Sequence, residues 1–281
     1  MKPSFYSVRL LSVMALLGII LLSCKDEENP TTVPDVSLGT TALGNVLTGS
    51  GGKTLYFFAS DVDGTSNCSG TCKETWPVYY EENLTLGTGL KASDFATITR
   101  ADGDKQTTYK GWPLYYFKND TKAGDVAGEN VGNVWMVAKS NYTVMLASRQ
   151  LVGNDGKSYT FDTKEGSGKS LFLTDSLGRT LYAFANDKNN VNKYTKADLS
   201  NNATWPIYEV SSTIGEIPSA LARTDFTTIT AVGKTQLTYK GWPLYYFGAD
   251  QGQRGSTKGV SVPRPGVWPV VNSSSPVAPN S

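Results

Sequence analysis

The decapeptide Thr108-Tyr109-Lys110-Gly111-Trp112-Pro113-Leu114-Tyr115-Tyr116-Phe117 recurs letter for letter as Thr238–Phe247, 130 positions later. Two intact copies of a segment with five aromatic rings require a fold that supplies the same local environment twice. The repetition extends beyond the decapeptide. Residues 44–138 resemble residues 170–271. Val46-Leu47-Thr48 through Asp61 aligns without gaps on Phe172-Leu173-Thr174 through Asp187, and Asp94–Thr99 matches Asp225–Thr230. Self-similarity of this kind signals an architecture assembled from repeated units.

Each long repeat is itself double. The string Leu-Tyr-x-Phe-x-x-Asp starts at Leu55, Leu114, Leu181 and Leu244 and ends at Asp61, Asp120, Asp187 and Asp250. Trp76, Trp135, Trp205 and Trp268 follow the four starts at offsets of 21, 21, 24 and 24. Around each string the grammar is constant: an alternating run such as Phe95–Thr99, a turn rich in Gly and Asp, the Leu-Tyr-x-Phe segment, a polar loop, and a Trp-led segment. Aromatic and β-branched runs between Gly, Asp and Asn clusters read as strands joined by hairpins. The expected fold is all-β: four related three-stranded antiparallel units in two long repeats, packed as a small propeller-like or sandwich-like body. Tyr142–Leu151 and Lys157–Asp162 read as an extra hairpin between the repeats. The expected divisions are residues 41–140 for repeat 1, 141–166 for the connecting hairpin, 167–272 for repeat 2, and 273–281 for a disordered tail.

Successive side chains in a strand face opposite ways. Tyr56 and Phe58 therefore share one face, and Leu55 and Phe57 the other, which suits a strand covered on both sides. Asp61 falls just past the strand end, where a carboxylate accepts backbone N–H groups and closes a turn. Tyr115 with Asp120, Tyr182 with Asp187, and Tyr245 with Asp250 read the same way. The alternative gathers the four aspartates around one cation. Calcium takes about 6–8 oxygen ligands, but EF-hand spacing is absent, and no metal site or cofactor is assigned. Trp112 and Trp242 are the candidate binding rings. If exposed, they would stack on a ligand; if buried, each ring of the decapeptide removes about 150–250 Å² from water, and the segment is a folding constraint.

Cys68 and Cys72 frame a small turn and are expected to form a disulfide that stabilises by about 2 kcal/mol. The matching loop of repeat 2, Asn189–Asn202, has no cysteine, which favours a staple over a reaction centre. The chain contains no histidine. This excludes Ser-His-Asp and Cys-His nucleophile pairs and His-ligated metals. No phosphate-binding glycine loop is present. No pair of acids stands out from the turn acids as catalytic, so no catalytic residue is assigned. A formal net charge of +1 gives no nucleic-acid footprint.

At the N-terminus, Lys2 and Arg9 precede an apolar run from Leu10 to Leu22, shorter than a membrane-spanning helix and suited to a secretory signal. Leu21-Leu22-Ser23-Cys24 resembles a bacterial lipobox, with Leu22 bulkier than the usual residue there. The resemblance implies a signal peptide over residues 1–24 and lipidation of Cys24. Residues 25–40, opening Lys25-Asp26-Glu27-Glu28, read as a flexible tether, and the acidic start resembles the export signal of surface lipoproteins.

The pattern Gly-x-Thr-Leu-Tyr-x-Phe-x-x-Asp, then Cys-Ser-Gly-x-Cys, Trp-Pro, and Gln-x-Thr-Tyr-x-Gly-x-Pro-Leu-Tyr resembles the tandem-repeat bacterial lipoproteins with a Tyr-x4-Asp motif, a secreted repeat of unknown function. The resemblance covers residues 44–271 and implies a class and a place but no chemistry. The expected molecule is an exported, lipid-anchored binding or structural module at the outer membrane, exposed at the surface. It would hold the membrane through its lipid and meet a glycan, an apolar ligand or an envelope protein. An envelope redox or apolar-substrate-handling protein is the alternative.

Overall fold

Strand pairing starts at the tight turns. Tyr109 pairs with Trp112, and Tyr239 with Trp242. Between them Lys110 and Gly111 have φ of 49° and 77°, and Lys240 and Gly241 have 49° and 80°. Two successive positive φ values make a two-residue hairpin turn whose twist matches the strands, and glycine takes such a value without Cβ strain. This geometry explains why Lys-Gly is fixed at the centre of both decapeptides.

The computed structural model describes Met1, Pro3 and residues 33–281, and Pro34–Ser281 forms one compact unit. The signal segment, Cys24 and most of the tether lie outside the described residues. Repeat 1 holds β1 (Ser37–Thr41), β2 (Gly44–Thr48), β3 (Tyr56–Phe58), a short helix α1 (Thr71–Thr75), β4 (Phe95–Thr99), β5 (Lys105–Tyr109), β6 (Trp112–Pro113) and β7 (Trp135–Val137). The connector supplies β8 (Val144–Val152) and β9 (Ser158–Tyr159). Repeat 2 holds β10 (Lys169–Asp175), β11 (Tyr182–Ala183), β12 (Phe226–Ala231), β13 (Lys234–Tyr239) and β14 (Trp242–Tyr245).

The fold is all-β. The strands form five small antiparallel sheets: β1-β2, β3-β7, β4-β5-β6, β10-β8-β9 and β11-β14-β13-β12. None closes into a barrel among the described residues. An isolated bridge pairs Tyr56 with Tyr115 as the β11-β14 ladder pairs Tyr182 with Tyr245, and Val78 and Ile207 each add a bridge to the second tyrosine. The two long repeats therefore share one lateral order. In repeat 1 it runs β4, β5, β6, β3, β7; in repeat 2 it runs β12, β13, β14, β11, then Val270. The four short units are interleaved, because the Tyr strand of each half pairs with the Tyr strand of the other.

The expected connecting hairpin is β8-β9, and β8 pairs along its length with β10 as β1 pairs with β2. Two boundaries need correction. The expected tether, residues 25–40, overlaps the fold: β1 begins at Ser37 and Val36 is fully buried. The tail was expected to be disordered from residue 273. Instead the Trp242 indole N–H donates to the Pro276 carbonyl at 2.8 Å, Lys240 Nζ donates to the Ser273 and Ser275 carbonyls, and Ala278 is buried against the repeat. Its Ser, Asn and Pro composition suggested solvent, but the end of the second hairpin needs acceptors that these carbonyls supply.

The core follows the two-faced reading of the motif strand. Leu55 and Phe57 enter the main core, whereas Tyr56 joins Val46, Trp76, Tyr115, Phe117 and Trp135 in a second cluster within repeat 1.

Candidate functional site

The residues common to the four motifs meet in pairs. The antiparallel bridge sets Tyr56 beside Tyr115 with both rings on one face, and each hydroxyl reaches the aspartate of the other motif. Tyr56 donates to Asp120 Oδ2 at 2.6 Å and Tyr115 to Asp61 Oδ2 at 2.6 Å. Repeat 2 repeats the exchange: Tyr182 donates to Asp250 at 2.6 Å and Tyr245 to Asp187 at 2.8 Å. The second oxygen of each aspartate fastens the loop that follows it, taking the backbone N–H of Asn67, Ala127, Lys193 and Lys258 at 2.7–3.0 Å. Each carboxylate thus holds its own loop with one oxygen and the partner strand with the other. The four aspartates do not gather around one centre, and among the described residues no three His, Cys, Asp or Glu side chains form a metal-binding group.

Burial dominates the electrostatics. It pushes Asp61 up to about 7 and Asp187 up to about 6, against the hydrogen bonds that favour the carboxylate. Asp120 and Asp250 are raised for the same reason. All four tyrosine hydroxyls are held above their ordinary value, first by burial and then by the adjacent carboxylate.

The motif tryptophans also meet in pairs. Trp76 stacks on Trp135 at 3.7 Å, and Trp205 on Trp268 at 3.7 Å. Phe58 and Phe117 extend the first pair to four rings, and Phe184 and Phe247 extend the second. Edge-on tyrosines lock each stack: Tyr56 and Tyr115 in repeat 1, Tyr182 and Tyr245 in repeat 2. All four indoles are buried.

Of the two candidate binding rings, Trp112 lies in the core, with its indole N–H on the Ser176 carbonyl at 3.0 Å and the Arg254 guanidinium over its ring at 4.8 Å. It presents no open face. Trp242 is half-buried, under the tail. Cys68 and Cys72 are joined in a disulfide. Beside it the buried Arg100 donates to the Cys68 carbonyl at 2.6 Å, to Gln106 at 2.7 Å and to Ser66, and the Ser66 hydroxyl lies 2.5 Å from that of Tyr115.

Sequence reasoning missed the roles of three residues. Gln106 and Gln236, both fully buried, donate to the Leu114 and Leu244 carbonyls at 2.8 and 2.9 Å. Their signal was present, since each precedes its decapeptide by two positions. Arg254 carried no signal, because nothing repeats it.

Three segments, residues 37–79, 96–139 and 227–272, match the model of a family described as a secreted repeat of unknown function. No curated protein and no solved structure matches the chain. The matched segments contain the β1-β2 hairpin, both decapeptides and the motif tryptophans Trp76, Trp135 and Trp268. The chain is thus a tandem array carrying this secreted repeat, of unknown function, in three matched copies.

Proposed function

We propose that the protein is an exported, lipid-anchored module of the cell envelope, held in the outer membrane through Cys24, whose task is binding or structural. The observation that carries this reading is the crossed exchange of tyrosines and aspartates. It commits every motif hydroxyl and carboxylate to holding strands and loops, so the repeated residues serve as scaffold. Contacts with a glycan, an apolar ligand or an envelope protein then fall to the parts that differ between copies. The secreted character of the matched family and the Leu21-Leu22-Ser23-Cys24 sequence support export and anchoring. A fractionation experiment tests the anchor. The wild type should pellet with the outer membrane and take up a labelled fatty acid, and Cys24→Ala should do neither while keeping its fold. Labelling that persists in Cys24→Ala, or a wild type found only in the soluble fraction, would overturn it.

A further inference from the structure

Where two copies agree, the agreement serves the fold; where they differ on the same backbone, one copy has acquired something of its own. The gap-free alignment of Val46–Asp61 on Phe172–Asp187 sets Gly49 opposite Asp175 and Lys53 opposite Arg179. In repeat 1 Lys53 is exposed, and the Tyr116 hydroxyl occupies the space that a side chain at Gly49 would need. In repeat 2 the buried Asp175 takes the Arg179 Nε–H at 2.6 Å and the Tyr246 hydroxyl at 2.9 Å. The Arg179 guanidinium lies over the Tyr246 ring at 4.5 Å and its Nη2 donates to that hydroxyl at 3.0 Å. Its Nη1 has no protein acceptor among the described residues. The side chain, 39% exposed, borders a cavity of about 400 Å³ whose wall includes Pro206, Ile207, Tyr246, Phe247 and Asp250. That volume is in the range of small-molecule sites, which are mostly apolar with a few placed polar groups.

We propose that this cavity binds a small, uncharged, mainly apolar molecule that presents a carbonyl oxygen to Arg179. The chemistry of the wall selects the class. A cation finds no free carboxylate: both Asp175 oxygens are taken by Arg179, Tyr246 and the backbone of Leu177 and Arg179. Those of Asp250 are taken by Tyr182, Ser256 and Lys258. An anion meets one guanidinium against two carboxylates. The unengaged polar atoms are the Arg179 donor, already charge-balanced by Asp175, and the neutral side-chain amides of Gln251 and Gln253 that also line the cavity, so the fitting partner is a neutral molecule with an acceptor on an apolar body. The proposal rests on the binding reading above and gives it a ligand class.

The test uses the purified full chain in detergent and three probes of similar shape: acetophenone, ethylbenzene and benzoate, followed by ligand-observed NMR and titration calorimetry. Acetophenone should bind saturably, at least tenfold more tightly than ethylbenzene or benzoate. Arg179→Met should abolish that preference and bring acetophenone down to the level of ethylbenzene. Should Arg179→Met fail to fold with Asp175 unpaired, the double variant Asp175→Gly with Arg179→Lys installs the pair that repeat 1 already carries on this backbone, and it should lose the preference equally. Equal affinity for acetophenone and ethylbenzene, a preference for benzoate, no saturable binding, or a preference that survives both variants would overturn the proposal. Membrane anchoring is measured separately, so either idea can fail without the other.

Discussion

At the scale of single residues, the crossed hydroxyl–carboxylate pairs set the energetics. A buried carboxylate stripped of a donor costs about 1–3 kcal/mol. Tyr182→Phe should therefore lower unfolding free energy by about that amount in urea titration. Combined with Asp250→Ala it should cost less than the sum of the two single changes, as expected for residues in direct contact. The carboxylates also predict an unusual pH response. Folded Asp61 titrates near 7 and Asp187 near 6, whereas an unfolded aspartate titrates near 4. Between these values the folded chain binds more protons than the unfolded chain, so stability falls as pH rises from about 4 to 7. The slope approaches about 1.4 kcal/mol per pH unit for each aspartate in its window. Urea midpoints measured from pH 5 to 8 should decline, and Asp61→Asn should flatten the decline. The two decapeptide tryptophans should separate as well. Trp112→Ala, in the core, should cost about 3–5 kcal/mol, and the half-buried Trp242→Ala clearly less. At this scale the sequence located the motif residues but not their partners. The Asp61 turn was legible because its acceptor duty is local. The Tyr115 bond to Asp61 spans 54 positions, and no spacing rule distinguishes it from a bond within one motif.

At the scale of elements, the hairpins were the most legible part. Alternating runs, the Lys110-Gly111 turn and its twin specify them locally, and β8-β9 fell where Tyr142–Leu151 and Lys157–Asp162 placed it. What remained hidden was the pairing of elements far apart in the chain, such as β3 with β7 or β11 with β14. Those contacts are selected by the ring stacks and not by any turn. The Cys68–Cys72 loop was also legible. Opening it with Cys68→Ala and Cys72→Ala should cost about 2 kcal/mol on the chain-entropy estimate, and Arg100 should keep the loop in place through the Cys68 carbonyl. The C-terminal segment misled because composition reports what a segment can bury and not which carbonyls a neighbour needs. Deleting residues 273–281 removes the acceptors of Trp242 and Lys240. Truncation after Asn272 should lower stability by about 2 kcal/mol or more and speed amide exchange in β14 ahead of β5.

At the scale of the whole molecule, Arg254 joins the two repeats at three backbone carbonyls, beside cross-repeat bonds such as Trp112 to Ser176 and Lys139 to Glu216. Arg254 Nε donates to the Val62 carbonyl at 2.9 Å, and Nη1 to the Lys110 and Leu177 carbonyls at 2.8 and 2.5 Å. Burial brings its pKa down to about 10. A lysine ammonium is a point donor and cannot reproduce a planar fork spread over three carbonyls. Arg254→Lys should lose about 2 kcal/mol, and Arg254→Met should broaden or split the unfolding transition as the repeats uncouple. The array also has a direction. The first decapeptide sends its indole N–H forward to Ser176, at the opening turn of the next copy. The second sends its own to Pro276, in the segment that follows repeat 2. One donor at one place in two identical decapeptides is thus answered by two unrelated stretches of sequence, so a change in residues 273–278 should loosen the second hairpin and leave the first untouched.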